Sequence, residues 1–339
     1  MSLSIETGRS LQPFNTFGID ASAARYAEAR SDTDVHDAIA EARELGLPLR
    51  VIGGGSNLVL TGDVDAMVLR MASRGIRILS DDGDRVVVEA EAGEPWHPFV
   101  GHCLALGLGG LENLSLIPGT VGASPIQNVG AYGVEIKDVF AGLTAMDRQT
   151  SELRDFELSD CEFDYRDSIF KREPDRYIIL RVRFTLRRTP VLRLDYGPLR
   201  LRLQQEGIEA PTPSDVSRAV CAVRSAKLPD PAVLGNAGSF FKNPVVSQAV
   251  AETLRERFPD LVAYPQPNRQ LKLAAGWLIE KAGWKGFRDG AVGVHEHQAL
   301  VLVNYGGAEG REVLQLARRI QADISERFGV QLEIEPNVL

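Results

Sequence analysis

Residues 48–60 read Pro-Leu-Arg-Val-Ile-Gly-Gly-Gly-Ser-Asn-Leu-Val-Leu, and no other stretch restricts the fold as much. Pro48 to Ile52 suits a buried strand and Leu58-Val59-Leu60 resumes β structure, so Gly53, Gly54, Gly55, Ser56 and Asn57 form a loop between strands. No helix opens there, which excludes the dinucleotide-binding fingerprint whose glycines lead into one. Glycine admits positive φ and close approach of a ligand to the backbone. The theme recurs at Ile117-Pro118-Gly119-Thr120-Val121-Gly122-Ala123-Ser124-Pro125-Ile126-Gln127-Asn128-Val129-Gly130-Ala131-Tyr132-Gly133. It recurs again at Gly235-Asn236-Ala237-Gly238-Ser239-Phe240-Phe241-Lys242-Asn243-Pro244. One such loop alone reads as a tight turn. Three together point to a cofactor held largely by backbone, because successive amides offer a diphosphate an anion-binding concavity.

Around these loops the pattern is mixed. Ser31 and Asp32 cap a helical period through Val35, Ala38, Ile39 and Ala42 that stops at Gly46. From about Ala66 to Arg188 short β-rich runs dominate, including Arg85 to Ala90 and Tyr177 to Leu186, with a helix at Pro95 to Leu106. A helix from Ser214 to Arg224 leads to the proline-rich hinge Lys227-Leu228-Pro229-Asp230-Pro231. Helical patterns follow at Ser247 to Arg257, Leu271 to Ala282 and Glu309 to Phe328, around a strand at Ala299 to Asn304. The fold class is α+β, ending in an α/β domain.

The 339 residues carry 38 Lys and Arg against 46 Asp and Glu, a formal charge of −8, which argues against nucleic acid as the main partner. No apolar run approaches the ~20 residues that span a bilayer and no leader pattern opens the chain, so a cytoplasmic protein with no membrane partner is expected. Cys103, Cys161 and Cys221 are far apart and show no pairing motif, so buried thiols are expected.

Ser239 has three readings. It fits a turn, a nucleophile lacking the usual G-x-S-x-G elbow, or a general acid toward a carbanion or enolate, the one kind of base strong enough for a hydroxyl. His295-Glu296-His297 lacks the helical spacing of a zinc motif and a third ligand nearby, so no metal is assigned. Tyr165-Arg166-Asp167-Ser168 sets a guanidinium in a polar turn, suited to clamping a carboxylate or to a surface salt bridge. Leu332-Glu333-Ile334-Glu335-Pro336 reads as a short terminal strand with both glutamates on one face.

In order and spacing, Asn15-Thr16-Phe17, the three glycine segments, Tyr165 to Ser168, Lys227 to Pro231 and the terminal glutamates resemble the UDP-N-acetylenolpyruvoylglucosamine reductase family over nearly the whole chain. The resemblance implies a two-part FAD-binding region of the vanillyl-alcohol-oxidase type over residues 1–70 and 71–213. It further implies a substrate domain at 214–328 and a terminal strand at 329–339. FAD would be bound noncovalently by Gly53 to Asn57, Pro118, Gly119, Thr120, Val121, Gly122, Ala123 and Gln127; the first loop has no histidine to tether it. NADPH would be the cosubstrate and UDP-N-acetylglucosamine enolpyruvate the substrate; apart from the resemblance, nothing in the sequence looks like a coiled-coil seam and a monomer is expected. Arg166, Ser239 and Glu335 would be catalytic. Tyr196, Arg224, Lys227, Asn243, Tyr264, Lys272 and Gln298 would contact substrate, with Asp195-Tyr196-Gly197-Pro198 similar to the tyrosine loop of one subclass. The family's terminal pattern is Leu-Glu-Pro-Glu-Val, whereas Ile334 stands here in place of the proline, so Glu333 is the fallback for Glu335. A serine hydrolase and a nucleotide-sugar binding protein without turnover are the competing readings. The first predicts a colourless protein, the second one that consumes no NADPH.

Overall fold

The computed structural model describes residues 3–339. The chain divides into two compact units: Met1–Arg9, Ala23–Gly54 and Asp65–Ala226 make the first, and Ser10–Ser22, Gly55–Val64 and Lys227–Leu339 the second. The division falls inside the first glycine loop, after Gly54.

In the first unit the helix Asp32–Glu44 starts at Ser31, whose hydroxyl accepts from the Asp34 amide while the Asp34 carboxylate accepts from the Ser31 amide. Val35, Ala38, Ile39 and Ala42 face inward, as their spacing predicts, onto Leu49, Met67, Leu69 and Met71. Strand Leu49–Ile52 pairs in parallel with Val64–Met71 in a four-stranded sheet completed by Ser22–Ala29 and Ile5–Ser10. A second, five-stranded antiparallel sheet runs in the order Leu153–Phe156, Phe140–Asp147, Tyr177–Arg187, Arg85–Glu91, Ile76–Asp81. The helix Trp96–Ala105 buries Trp96, Phe99, Val100 and Cys103 in the core it shares with this sheet, where Trp96, Phe99 and Phe184 pack with ring centroids 5.2–5.9 Å apart. The helices Gly197–Gln205 and Pro213–Lys227 pack through Leu199, Leu203, Val216, Ala219 and Val220.

The second unit holds a four-stranded antiparallel sheet, Gly235–Ser239, Val301–Asn304, Val292–Val294 and Arg288–Asp289, with the long helix Gly310–Phe328 in contact with it. A three-stranded sheet orders Val245–Ser247, Gln270–Leu273, Ala263–Gln266. Two expectations change here. The helix read over Leu271 to Ala282 is a strand at Gln270–Leu273 followed by a shorter helix, Ala275–Lys281. Lys272 pairs with Val245 on one side and Tyr264 on the other, so ladder bonds on both flanks override a period that also suits a helix. The terminal glutamates do not form a regular strand: Ile334 makes an isolated bridge to Phe241, and pairing resumes at Asn337–Val338, parallel to Leu58–Val59. Pro336 interrupts the ladder because it has no amide proton to donate.

Cys103 and Cys161 are buried as expected, and burial pushes both thiols up to about 12. Cys221 is only half-buried, which corrects the third of those readings. Among the described residues no helix is long and apolar enough to cross a membrane.

Candidate active site

Two glycine segments meet in the first unit. A Cβ on Gly53 would stand 2.4 Å from the Thr120 hydroxyl, and one on Gly54 would stand 3.1 Å from the Gly119 Cα. The second loop is fixed by main-chain bonds to the segment before it: the Trp96 amide donates to Gly119 O at 3.0 Å, Val121 to Glu94 O at 2.9 Å and Gly122 to Ala92 O at 2.9 Å. Val121 to Ala123 form a single 3-10 turn, and Pro118 is exposed at its approach. The Thr120 Oγ1 is buried and has no hydrogen-bond partner in the protein. A buried hydroxyl in a cradle that any side chain on Gly53 would fill fits a bound polar group such as a cofactor diphosphate. Gln127 is buried just beyond the turn. Gly55, Ser56 and Asn57 belong to the second unit, where the Asn57 carbonyl accepts from the Asn337 amide at 2.9 Å.

Arg166 occupies a two-residue turn. Asp164 and Asp167 exchange both main-chain bonds, at 3.1 and 3.2 Å, leaving Tyr165 and Arg166 at the tip with Arg166 at φ +53. Its Nη2 donates to Gly130 O at 2.6 Å, and a Cβ on Gly130 would stand 3.1 Å from Nη1, so the glycine makes room for the guanidinium. The fully buried Asn128 braces this turn by donating to Asp164 O at 3.0 Å.

A second cluster in the same unit gathers Tyr196 and Arg224 around a residue the sequence did not single out. The Tyr132 ring meets Tyr196 edge-on, centroids 4.9 Å apart, and its hydroxyl is hydrogen-bonded to Arg224. Asn113, buried completely, donates to Tyr132 O at 2.9 Å and Arg193 O at 2.8 Å, tying the second glycine segment to the tyrosine loop. Burial lowers the Arg224 pKa and raises that of Tyr132, and the Arg224 Nε has no protein partner. A desolvated cation of this kind favours an anionic ligand. Only its place in the glycine-rich run could have drawn attention to Tyr132.

In the second unit Ser239 ends the strand Gly235–Ser239, exposed, opposite Val301 and beyond a register shift after Asn236. Gly238 turns the chain at φ +69 and donates to Asn236 Oδ1 at 2.9 Å. Phe240 and Phe241 are buried behind the serine. The Glu335 amide donates to Phe240 O at 2.9 Å, so Ser239 and Glu335 flank one buried phenylalanine. Glu335 is half-buried, while Glu333 is exposed and paired with Lys242. Asn243 Oδ1 accepts from the Ala275 amide at 2.9 Å at the start of the helix Ala275–Lys281. Tyr264 and Lys272 are cross-strand partners, and Tyr264 is exposed. Gln298 Oε1 would lie 3.4 Å from a Cβ on Gly276, and Lys227 is exposed at the end of its helix. The His295 and His297 rings meet edge-on at 5.5 Å, and no group of three potential metal ligands occurs among the described residues.

Known proteins resemble this chain over its whole length. The family described as FAD binding domain matches residues 23–156, and UDP-N-acetylenolpyruvoylglucosamine reductase, C-terminal domain, matches 230–339. The UDP-N-acetylenolpyruvoylglucosamine reductase of Pseudomonas fluorescens strain Pf0-1 is 68% identical over 99% of each chain, and that of Pseudomonas aeruginosa strain PAO1 is 66% identical over 100% of each. The corresponding protein of Chromobacterium violaceum is 51% identical over 100% of each. The crystal structure of UDP-N-acetylenolpyruvylglucosamine reductase from Thermus caldophilus superposes with a TM-score of 0.68, covering 100% of this chain and 99% of that one at 24% identity. A solvent-stable cholesterol oxidase shares the fold at a TM-score of 0.52 and 14% identity, over 98% of this chain and 87% of the other. These two likenesses bear on the fold alone, which is the flavoprotein fold that the family resemblance implied.

Proposed function

Since the chain belongs to the UDP-N-acetylenolpyruvoylglucosamine reductase family of oxidoreductases and carries an FAD-binding domain, we propose that it reduces UDP-N-acetylglucosamine enolpyruvate to UDP-N-acetylmuramate with NADPH as reductant. FAD, when bound, would supply the redox chemistry that moves a hydride equivalent from NADPH to C3 of the enolpyruvyl ether. The residues of the chain do the rest.

Gly53, Gly54, Gly119 and Thr120 would hold the cofactor, the close approach of the two loops leaving their amides and the unpartnered Thr120 hydroxyl to meet its polar groups. As C3 gains hydride, negative charge develops at C2 and is shared with the adjacent carboxylate. Arg166, held at the tip of its turn by Gly130 O, stabilises that charge with charge-assisted hydrogen bonds. Ser239 then protonates C2. A carbanion is basic enough to take a proton from a hydroxyl, so no histidine need accompany it. The observation that carries this reading is the exposed Ser239 hydroxyl at the end of a strand whose next residue binds Glu335 through its main chain. Glu335 assists proton delivery, a role that the Lys242 pairing of Glu333 leaves to it. Arg224, Lys227 and Lys272 meet the substrate diphosphate, Tyr196 and Tyr264 pack on its rings, and Asn243 and Gln298 hydrogen-bond to it. NADPH precedes the sugar and leaves before it.

Two substitutions test the assignment. Arg166→Lys keeps the charge and loses the planar fork, and is expected to slow substrate-dependent reoxidation by about 10²-fold while reduction by NADPH is preserved. An unchanged reoxidation rate would remove Arg166 from the chemistry. Glu335→Gln is expected to reduce turnover by about 10²-fold or more and Glu333→Gln to leave it within a few-fold; the reverse order in steady-state kinetics would transfer the role to Glu333.

A further inference from the structure

Resting on the assignment of FAD to the second glycine loop, we propose that His97 is a positioning residue whose neutral Nδ1 holds that loop in the conformation that receives the cofactor. Trp96 and His97 stand together at the start of the helix Trp96–Ala105 and between them fix three points on the segment leading into the loop. The Trp96 indole donates to Leu114 O at 2.8 Å, its main-chain amide donates to Gly119 O at 3.0 Å, and His97 Nδ1 accepts from the Leu116 amide at 3.0 Å. Leu116 is the point that needs holding. It sits at φ +58, a left-handed conformation that a branched side chain adopts only under constraint. Two residues later the chain reaches Pro118, Gly119 and the buried Thr120 hydroxyl.

The main-chain bonds and the indole bond that fix the loop do not titrate. The imidazole does. Accepting from an amide requires a lone pair on Nδ1, and the imidazolium has none, since both of its nitrogens donate. The charged group that faces His97 is Arg224, from the helix Pro213–Lys227, with Tyr132 and Cys221 beside Arg224 in turn. Burial and that cation both hold the imidazole below its ordinary pKa, so the neutral, accepting form is the native one. A depressed native pKa means that the contribution is complete above the ordinary imidazole range and is lost as pH falls through the depressed value.

The test follows release of FAD from the holoenzyme on dilution, by the fluorescence of freed flavin, over a descending pH series. Wild type is expected to hold FAD at neutral pH and release it progressively in acid. His97→Asn, whose Oδ1 can take the place of Nδ1 and does not titrate, is expected to hold FAD at neutral pH and flatten the acid release. His97→Leu is expected to weaken FAD about tenfold at neutral pH, the effect of leaving the Leu116 amide unpaired. Wild-type affinity in His97→Leu, or the full acid release in His97→Asn, would overturn the proposal; if His97→Leu does not fold, wild type against His97→Asn decides. Gly53→Val separates this role from the reading beneath it. If that variant binds FAD normally, the glycine cradle is not the cofactor site and the proposal falls with it. If it loses FAD while His97→Leu retains it, the role of His97 alone is wrong.

Discussion

Ser239→Ala is expected to leave reduction by NADPH at its wild-type rate and to slow reoxidation by the enolpyruvyl substrate by about 10²- to 10⁴-fold, the range of a lost general acid. The separation follows from where the residue stands. Its hydroxyl is exposed, while its main chain continues the pairing with Val301, and alanine keeps that pairing. A surface change of this size costs roughly 0.5 kcal/mol or less in stability, so a lost half-reaction could not be blamed on unfolding. Rapid-mixing absorbance resolves the two half-reactions in one protein. Equal loss in both, or in neither, would contradict proton donation by Ser239.

Gly55→Ala should produce the largest structural effect, a loss of about 3–5 kcal/mol in the urea-unfolding free energy. Gly55 has φ +63, and a Cβ there would stand 1.9 Å from Phe14 O and 2.9 Å from the Asn15 Cα. The neighbouring turn cannot withdraw. Asn15 is buried, with its Nδ2 donating to Leu11 O and Ile19 O at 2.9 Å and its Oδ1 accepting from the Ile19 amide. Thr16 donates through its amide to Gly55 O at 3.1 Å and through its hydroxyl to Asn236 O at 2.6 Å. A substituted chain must therefore break this knot or distort the loop. A change below about 1 kcal/mol would mean that the loop relaxes freely and that its glycines are not sterically required.

That knot also marks where sequence reasoning stopped. The helix Asp32–Glu44 and the strands Arg85–Glu91 and Tyr177–Arg187 were legible, because caps and apolar period agree there with the tertiary contacts. The segment Gln270–Leu273 was not, because Leu271 fits a helical period with Ala274, Ala275 and Leu278 and an extended one with Leu273, and pairing with Val245 and Tyr264 decides between them. Nothing local announces that Ser10–Ser22 and Gly55–Val64 join the C-terminal unit, since the bonds from Thr16 to Asn236 and from Asn304 Nδ2 to Phe17 O span more than half the chain. Within the candidate site the glycine loops and Ser239 declared themselves by composition. The supports did not: Asn113, Tyr132 and His97 act through a few bonds to main chain or to Arg224, which leave no periodic or compositional trace. Asn15-Thr16-Phe17, noticed only as a family feature, owes its place to the carbonyls it binds.

The central claim is that this chain binds FAD and cycles it between NADPH and an enolpyruvyl UDP-sugar. Its most direct test is the visible absorbance of the purified protein, recorded without air before and after NADPH and again after UDP-N-acetylglucosamine enolpyruvate. The account predicts flavin bands near ~450 nm that bleach with NADPH and return only with that sugar, because the cofactor carries both half-reactions. A protein that stays colourless when FAD is supplied, or whose bleached flavin is not restored by the sugar, would contradict it.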